Sequence, residues 1–398
     1  MKGNKIEIEI NPNQIDDSLN KLMKVRNYLL EHFVQREAEV TAVLASLISG
    51  EPVILVADVG TAKTMLIETM SKMINAKYFY YLLTRFTEPD ELLGVLDINA
   101  LRRGEYKRIT TNRLPEAHIV FLDEIFKASS SIRNILLDII LNRRILNGTV
   151  YVQLPMLTLY TASNEISTDA EDRAFYDRLT IRDFHGYVSE DAWEELIDAG
   201  LTLLEQNQNS VEPIMSVEDV KILQRATIIR AISIRENQAL KSKYIEALSL
   251  LKQKGIELSD RRKIKTLVVA SAISLLYLEN DVSLDSLAEA LRFCAVHEPD
   301  DIKKVEEVIM EAKLSSVAEH VQKLQAMMTE LDNVMNMLKQ NPSIENLKAL
   351  NTVKNKVLLE LKKMPKNPRL LPYIRKLTPK VNECIALLKK YREELFGE

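Results

Sequence analysis

Short, mostly apolar segments alternate with helical patterns along the first half of the chain. Runs this short and this apolar are typical of buried parallel strands. They lie at residues 53–56, 78–83, 119–122, 157–162 and 179–181. Helical periodicity is predicted at 15–30, 37–47 and 65–73, and a short strand or extended lead is predicted within the first ten residues. This alternation predicts an α/β fold, in which a parallel sheet is flanked by helices.

After about residue 190 the strand pattern ends, and residues 193–311 read as several helices. The next helix carries apolar residues at 4-3-4-3-4-3 spacing, which is a heptad seam. Its members are Val317, Val321, Leu324, Met328, Leu331, Met335 and Leu338. Pro-bearing breaks then separate two further helices. We therefore expect three domains, namely an α/β core at 1–190, an all-α subdomain at 191–312 and an antiparallel three-helix, coiled-coil-like arm at 313–398.

Composition narrows the class of protein. Hydrophobic residues make up 46% of the chain and charged residues 28%, which is enough apolar material for a sizeable core. The net charge of −4 argues against a protein with a basic surface for binding nucleic acid.

Since neither a signal peptide nor an apolar run of about 18 residues is visible, a cytoplasmic protein is expected. Residues 341–398 carry 13 Lys or Arg against 6 Asp or Glu, which fits either a solvated helix face or a docking surface for an acidic partner.

The strongest chemical signal follows the first apolar strand and precedes a helix, the context that a phosphate-binding loop requires. Its residues are Ala57, Asp58, Val59, Gly60, Thr61, Ala62, Lys63 and Thr64. Backbone N–H groups of such a loop wrap phosphates, Lys63 reaches the β- and γ-phosphates, and the Thr64 hydroxyl suits Mg²⁺. Alanine replaces both outer glycines of the pattern. We expect Ala62 to be mild at the start of a helix and Ala57 to cost roughly 1–2 kcal/mol if its φ is positive.

Two later strands end in polar residues that complete this chemistry. The run 119–122 ends in Asp123 and Glu124, as a Walker B strand does. Asp123 would bind Mg²⁺ through water, and Glu124 would polarise the attacking water as a general base. The strand at 157–162 is followed by Ser163 and Asn164. An asparagine at this strand end, beside the two carboxylates, could orient the water or contact the γ-phosphate.

Three arginines are candidates for contacts with nucleotide. Arg178 follows Tyr176 and Asp177 and is a candidate arginine finger for a neighbouring subunit, with Arg173 as its competitor. Arg261 lies in the first turn of a helix that Ser259 is suited to cap. Because a cation there opposes the helix dipole, we expect Arg261 to have another role, such as folding back on bound nucleotide. Arg85, at a strand end, is a weaker candidate for an interface or pore contact.

These motifs occur in the order found in AAA+ ATPases, and together they resemble the MoxR family, closest to its RavA branch. The resemblance covers roughly residues 33–297. It rests on the loop 60–64, on 83–87 (LTRFT) and 114–117 (LPEA), and on IVFLDEI, ASNE, YDR and SDRR at 119–125, 162–165, 176–178 and 259–262. The resemblance implies an AAA+ P-loop core at 1–190 that binds ATP and Mg²⁺, a helical lid at 191–312 and a C-terminal helical arm. It also gives Asn164 and Arg261 the family's sensor 1 and sensor 2 roles.

The resemblance further implies a hexameric ring with nucleotide at subunit interfaces, which remodels a protein client in a chaperone-like way. A partner protein with a von Willebrand factor A domain is implied, and it would come from another chain. Two insertions facing the ring pore are implied at 94–113 and 143–155, where Asn147-Gly148 predicts a hairpin turn.

Other functions use the same core. A nucleic-acid motor is disfavoured by the net charge and by the lack of a recognisable DNA-binding module. A scaffold that binds ATP without turnover is disfavoured because Asp123, Glu124, Asn164 and Arg178 are all present. A subunit of magnesium-chelatase type shares the core, but the sequence around Arg85 and Arg261 fits the RavA branch better.

Overall fold

The computed structural model describes residues 11–167, 172–206, 212–365 and 367–396. The strand predicted within the first ten residues therefore lies outside the described residues. The chain forms two compact units, Met1–Ala312 and Lys313–Glu398. Within the described ranges, no helix is both long and apolar enough to span a membrane.

Helices and strands alternate through the first part of the larger unit, as the apolar pattern predicted. Their bounds are α1 (Pro12–His32), α2 (Glu37–Ser49), β1 (Val53–Ala57), α3 (Lys63–Met73), β2 (Tyr78–Leu82), α4 (Pro89–Leu93), α5 (Ile98–Arg102), β3 (Ile119–Asp123), α6 (Ser130–Asn142), β4 (Arg144–Asn147), β5 (Val150–Gln153), β6 (Thr158–Ser163), α7 (Arg173–Arg178) and β7 (Ile181–His185).

Five of these strands form one sheet in the order β2-β3-β6-β1-β7, and every neighbouring pair is parallel. This confirms the predicted α/β fold with a parallel sheet flanked by helices. Strand β1 lies between β6 and β7, and its residues are largely buried. Because all the strands run in the same direction, the loops that follow β1, β3 and β6 meet at one edge of the sheet.

The rest of the larger unit is helical, as predicted. Its helices are α8 (Trp193–Gln206), α9 (Val217–Ser233), α10 (Gln238–Gln253), α11 (Asp260–Leu276), α12 (Leu284–Cys294) and α13 (Asp301–Glu311). The side chains of Ser216, Ser259 and Ser283 cap α9, α11 and α12 by accepting a backbone N–H three residues on. Helices α9 and α11 pack on α1 and α2. The domain boundary near residue 190 stays a prediction.

The two predicted insertions contact each other. Strands β4 and β5 form an antiparallel hairpin whose turn contains Gly148 at a φ of +71°. The Asn147 side chain accepts the Arg108 backbone N–H at 2.9 Å, and a Cβ on Gly148 would collide with the Tyr106 carbonyl. The segment 94–113 is folded on itself by an isolated antiparallel bridge between Leu96 and Arg108.

The smaller unit contains three helices, α14 (Ala318–Gln340), α15 (Ile344–Lys363) and α16 (Leu371–Phe396). Five of the predicted heptad residues are buried in its core together with residues such as Leu350 and Leu377, namely Val317, Leu324, Leu331, Met335 and Leu338. The other two, Val321 and Met328, are partly buried and pack against that core. Lys323 pairs with Glu360 and Glu330 pairs with Lys356, so α14 and α15 run in opposite directions. A three-helix arrangement of this kind buries the apolar seams of all three helices.

Candidate functional site

The predicted phosphate loop connects β1 to α3. Gly60 has a φ of +81° and Ala62 a φ of +64°, whereas Ala57 is the last residue of β1 and does not have a positive φ. Ala57 therefore does not carry the free-energy cost that a positive φ would impose on alanine. That cost falls instead on Ala62, the N-cap of α3, where an alanine in the left-handed region costs roughly 1–2 kcal/mol.

Lys63 and Thr64 are the first two residues of α3. The Lys63 amine donates to the carbonyls of Ala57 at 2.8 Å and Asp58 at 3.0 Å, and the residue is only 7% exposed. Burial lowers the pKa of Lys63, whereas the negative charges of Asp123, Glu39 and Glu124 oppose that shift. A buried cation that carboxylates keep charged is suited to binding phosphate oxygens.

Asp123 ends β3, and Glu124 follows it. The Asp123 side chain accepts the backbone N–H of Glu124 at 2.9 Å. Burial raises the pKa of Asp123, while the nearby Lys63 lowers it. Glu124 has a φ of +55°, a left-handed backbone that non-glycine residues adopt mainly where the surroundings enforce it. Oxygen donors from Thr64 and Asp123 are the type that Mg²⁺ prefers.

Asn164, which follows β6, donates its side-chain amide to a carboxylate oxygen of Glu124 at 2.7 Å. Lys127 lies 3.3 Å from the other carboxylate oxygen of Glu124. These contacts fix the Glu124 carboxylate at the same sheet edge as Asp123 and Lys63. The predicted residues that follow β1, β3 and β6 are thus brought together.

Arg178 lies at the opposite edge of the sheet. It ends α7, and the strand that follows it, β7, begins beside the first residues of β1, since Ile181 donates its N–H to Pro52 and pairs with Val53. Strand β1 has five residues, so roughly 16 Å of strand separates this edge from the phosphate loop. The Arg178 side chain donates to the Ala174 carbonyl at 2.7 Å.

Arg261 lies near Arg178 rather than near the phosphate loop. The Arg261 guanidinium is 3.9 Å from the Asp177 carboxylate, which also accepts the Ser259 hydroxyl at 2.9 Å. Burial lowers the pKa of Arg178, and the charge of Arg261 lowers it further. Asp177 precedes β7 at the sheet edge opposite the phosphate loop, and the expected contact of Arg261 with nucleotide stays a prediction. Arg173, the alternative finger, is the exposed first residue of α7.

Two buried arginines were not singled out from the sequence. Arg262 is 1% exposed and donates to the carbonyls of Leu179, Thr180 and Cys294. Arg182 is also buried, and it donates to the Val296 carbonyl and to the ring of His297. Both guanidinium groups connect the segment that carries Arg178 with the helical part of the unit. The serine N-cap pattern gave the start of α11, but not which of its two adjacent arginines is buried.

The remaining candidate, Arg85, lies in the exposed loop after β2. Its neighbour Phe86 is among the most exposed apolar side chains of the described residues. This loop follows the carboxyl end of β2, which is the same sheet edge as the phosphate loop, as predicted from the parallel arrangement.

The order of strands and the phosphate loop define the AAA+ class of P-loop fold. A protein from Cytophaga hutchinsonii that is provisionally named an ATPase has a similar crystal structure. Its TM-score is 0.59 at 16% identity, over 75% of this chain and 96% of that one. At this identity the likeness concerns the fold alone.

The chain belongs to the family described as the MoxR domain of the MoxR-vWA-beta-propeller ternary systems (bpMoxR), which matches residues 20–225. Two uncharacterized proteins of Methanocaldococcus jannaschii are similar over most of their length. One is 36% identical over 71% of this chain and 74% of its own, and the other is 33% identical over 75% and 76%. A structural protein of Acidianus two-tailed virus is 32% identical over 52% of this chain and 35% of its own length.

Proposed function

We propose that the chain is a Mg²⁺-dependent ATPase that works as a ring-forming motor and remodels a protein client. The observation that carries this proposal is the contact between Asn164 and Glu124, made at the sheet edge where Lys63 and Asp123 also lie. A carboxylate held in place next to a buried lysine is the arrangement that hydrolysis of a phosphoanhydride needs. The family, whose members are MoxR-type AAA+ ATPases, supports the same reaction.

Each residue of this edge has a proposed role. The loop from Ala57 to Thr64 would bind the phosphates through its N–H groups and through Lys63. Thr64 and Asp123 would hold Mg²⁺, which offsets the negative charge of the phosphates when it is bound. Glu124 would accept a proton from the attacking water, and Asn164 would keep Glu124 in position for that step.

Arg178 and Arg261 would act on the nucleotide of a neighbouring subunit. They lie together at the edge of the sheet opposite the phosphate loop, which favours action on a neighbouring subunit over action on their own chain. A cation supplied from the next subunit stabilises the charge that develops during phosphoryl transfer. Nucleotide sites completed in this way favour a closed ring, and the family resemblance favours six subunits.

A protein with a von Willebrand factor A domain is the partner we propose, because the family description names such systems. The strings around Arg85, Asn164 and Arg261 favour the RavA branch of the family. The client is proposed to be a protein rather than nucleic acid, given a net charge of −4. Location in the cytoplasm stays a prediction.

The test is steady-state ATP hydrolysis with Mg²⁺ by native protein and by two variants. We expect Glu124→Gln and Arg178→Ala each to be inactive alone. When the two are mixed, some turnover should return, because a Glu124→Gln subunit can supply Arg178 to the intact base of its neighbour. Arg173→Ala is the matched control for the second finger candidate and should retain activity. Oligomer mass is measured in the same samples with nucleotide.

Two outcomes would replace this proposal. If native protein binds ATP without turnover, alone and with an added A-domain partner, the chain is an ATP-binding scaffold. If DNA stimulates hydrolysis and its binding weakens steeply with salt, the chain is a nucleic-acid motor.

A further inference from the structure

Three ligand-type side chains converge between α2 and the end of β7, away from the residues assigned above. Glu39 lies in the first turn of α2, and Asp183 and His185 lie on the same face of β7, two residues apart. One ligand atom from each side chain falls within 4.8 Å of the others. Glu39 is 2% exposed and Asp183 5%, so this cluster belongs to the interior.

Asp183 fixes the orientation of the histidine ring. The Nδ1 atom of His185 lies 2.7 Å from an Asp183 carboxylate oxygen. A proton shared on that side leaves the other nitrogen, Nε2, as the atom with a free lone pair. The second nitrogen points toward Glu39, whose nearest carboxylate oxygen is 3.2 Å away. A carboxylate that holds one nitrogen while the other faces a ligand site is the usual support for metal-binding histidines.

The atoms that face each other in this cluster lack hydrogen bonds. Among the described residues, no hydrogen bond reaches Nε2 of His185 or either carboxylate oxygen of Glu39, although all three atoms are buried. Nε2 and Oε2 are close enough for a hydrogen bond but are not aligned for one. Buried polar atoms in proteins normally have a hydrogen-bond partner or a bound ion, so these three atoms need an explanation. Two ligand atoms bound to one zinc ion lie roughly 3.2–3.5 Å apart, a separation that this pair already has.

The charges around the cluster leave room for one more cation. Arg36 is buried beside it, with Nε 3.5 Å from Glu39, but its NH1 atom already donates to the Gly186 carbonyl. Lys63 also acts electrostatically on Glu39, but its amine is held by the carbonyls of the phosphate loop. Burial and the negative charge of Asp183 raise the pKa of Glu39 to about 8, because the charges of Arg36 and Lys63 offset them only in part. A buried excess of negative charge is costly unless a cation or a proton offsets it.

We propose that Glu39, Asp183 and His185 form a binding site for a divalent first-row transition metal of the Zn²⁺ type. His185 supplies Nε2 and Glu39 supplies a carboxylate oxygen, while Asp183 orients the ring and contributes to the charge. Imidazole with carboxylates is a donor set that such ions accept. Because β7 pairs with β1 up to the register Ala57 with His185, the bound ion would tie the start of α2 to the strand end beside the phosphate loop. Metal binding by these three residues does not require ATP hydrolysis.

The experiment uses the full chain, freed of nucleotide and stripped of metal by a chelator, then equilibrated with Zn²⁺ or with Co²⁺ as a spectroscopic probe. We expect one ion per chain, and visible ligand-field bands with Co²⁺. Asp123→Asn removes binding at the proposed Mg²⁺ site and should leave this stoichiometry unchanged. Glu39→Gln and His185→Gln should each weaken Zn²⁺ affinity at least tenfold, and Asp183→Asn about 10–100-fold. His320→Gln, in the smaller unit, is the control.

The Co²⁺ spectrum of native protein needs no variant, so the inference is testable even if a substitution prevents folding. Absence of bound Zn²⁺ and of ligand-field bands in native protein would overturn the proposal. Zn²⁺ binding that persists in both His185→Gln and Glu39→Gln would overturn it equally, because the ion then lies elsewhere.

Discussion

The side-chain amide of Asn164 donates a hydrogen bond of 2.7 Å to Glu124, a residue 40 positions earlier in the chain. The two residues follow neighbouring strands, β6 and β3, which are paired in register from Ile119 with Thr158 onward. At this position Glu124 has a left-handed backbone conformation, with a φ of +55°. A side chain that is held from two sides keeps its geometry without rearrangement during a reaction.

Replacing Glu124 with glutamine should nearly abolish hydrolysis and leave ATP binding intact. The change preserves shape but removes the group that accepts a proton, a contribution of typically 10²–10⁴-fold in rate. Lys63 and the loop are unchanged, so ATP affinity measured by calorimetry should stay within a few-fold of native. Native turnover by the Glu124→Gln chain would rule out Glu124 as the general base.

Asn164→Ala should lower kcat roughly 10–100-fold with a smaller change in KM. The reason is that the Glu124 carboxylate loses its donor and becomes less well positioned. Asn164→Asp should be more damaging, since it removes the donor and also sets a negative charge against Glu124. Steady-state kinetics of the two variants side by side test the order. An Asn164→Asp enzyme faster than Asn164→Ala would contradict the positioning role.

Ala62→Gly should stabilise the folded protein by up to about 1 kcal/mol. The left-handed φ of +64° destabilises the folded state by roughly 1–2 kcal/mol when the residue is alanine, and glycine removes this cost. Glycine also loses more conformational entropy on folding, which offsets about half of that stabilisation. Ala57→Gly is the matched control. Ala57 ends a strand without a positive φ, so the same change there should destabilise by about 0.5–1 kcal/mol. Urea unfolding of both variants measures the two signs, and equal signs would contradict the assignment.

Substitutions of the two adjacent arginines of α11 should have different effects, one on stability and the other on activity. Arg262→Met leaves three buried carbonyls without their donor and should destabilise by about 3 kcal/mol. Arg261→Ala removes a half-exposed side chain at 3.9 Å from its partner, so its effect on unfolding should be within about 0.5 kcal/mol. The Arg261 variant should nevertheless lose ATPase activity. Thermal unfolding and turnover of both variants decide the matter, and a fully active Arg261→Ala protein would remove that residue from the site.

His297 should make the protein less stable in acid. Burial, with the charges of Arg182 and Arg262, lowers the pKa of His297 to about 4 from its usual 6.5. Below pH 6.5 His297 is protonated in the unfolded chain but stays neutral in the folded protein. The free energy of unfolding therefore falls as the pH drops toward 4. The contribution of this one group is at most about 3 kcal/mol.

The measurement is the free energy of unfolding at pH 7 and at pH 4.5, for native protein and for His297→Gln. Other groups also titrate in this range, so the quantity of interest is the difference between the two proteins. We expect the variant to lose less stability than native protein between the two pH values. An equal loss in both proteins would mean that His297 is protonated in the folded state without penalty.

The sequence predicted the polar residues at strand ends well, because a parallel sheet brings the loops after its strands to one edge. Ala57, Asp123 and Asn164 each follow or end an apolar run, and the structure has all three at that edge. Strand β7 was predicted poorly. The pattern suggested 179–181, but the strand spans Ile181–His185, since its buried polar residues interrupt the apolar run.

Other features depend on contacts between segments far apart in the chain. The burial of Arg262 needs carbonyls from Leu179, Thr180 and Cys294, and no local pattern encodes them. The edge of the sheet at which Arg261 lies depends on contacts between the first turn of α11 and residues 177–180, which precede β7. Ala62 has a positive φ and Ala57 does not. The phosphate-loop pattern does not specify these dihedral angles, so the sequence could not show which alanine carries the energetic cost.

The fit between the β4–β5 hairpin and the segment 94–113 constrains how such a protein can change over generations. Asn147 accepts the backbone N–H of Arg108, and Gly148 leaves no room for a side chain against Tyr106. A residue inserted in either segment would misalign both contacts at once. A lineage that remodels one of these insertions must therefore remodel the other, so the two should be inherited and exchanged between relatives as a single block.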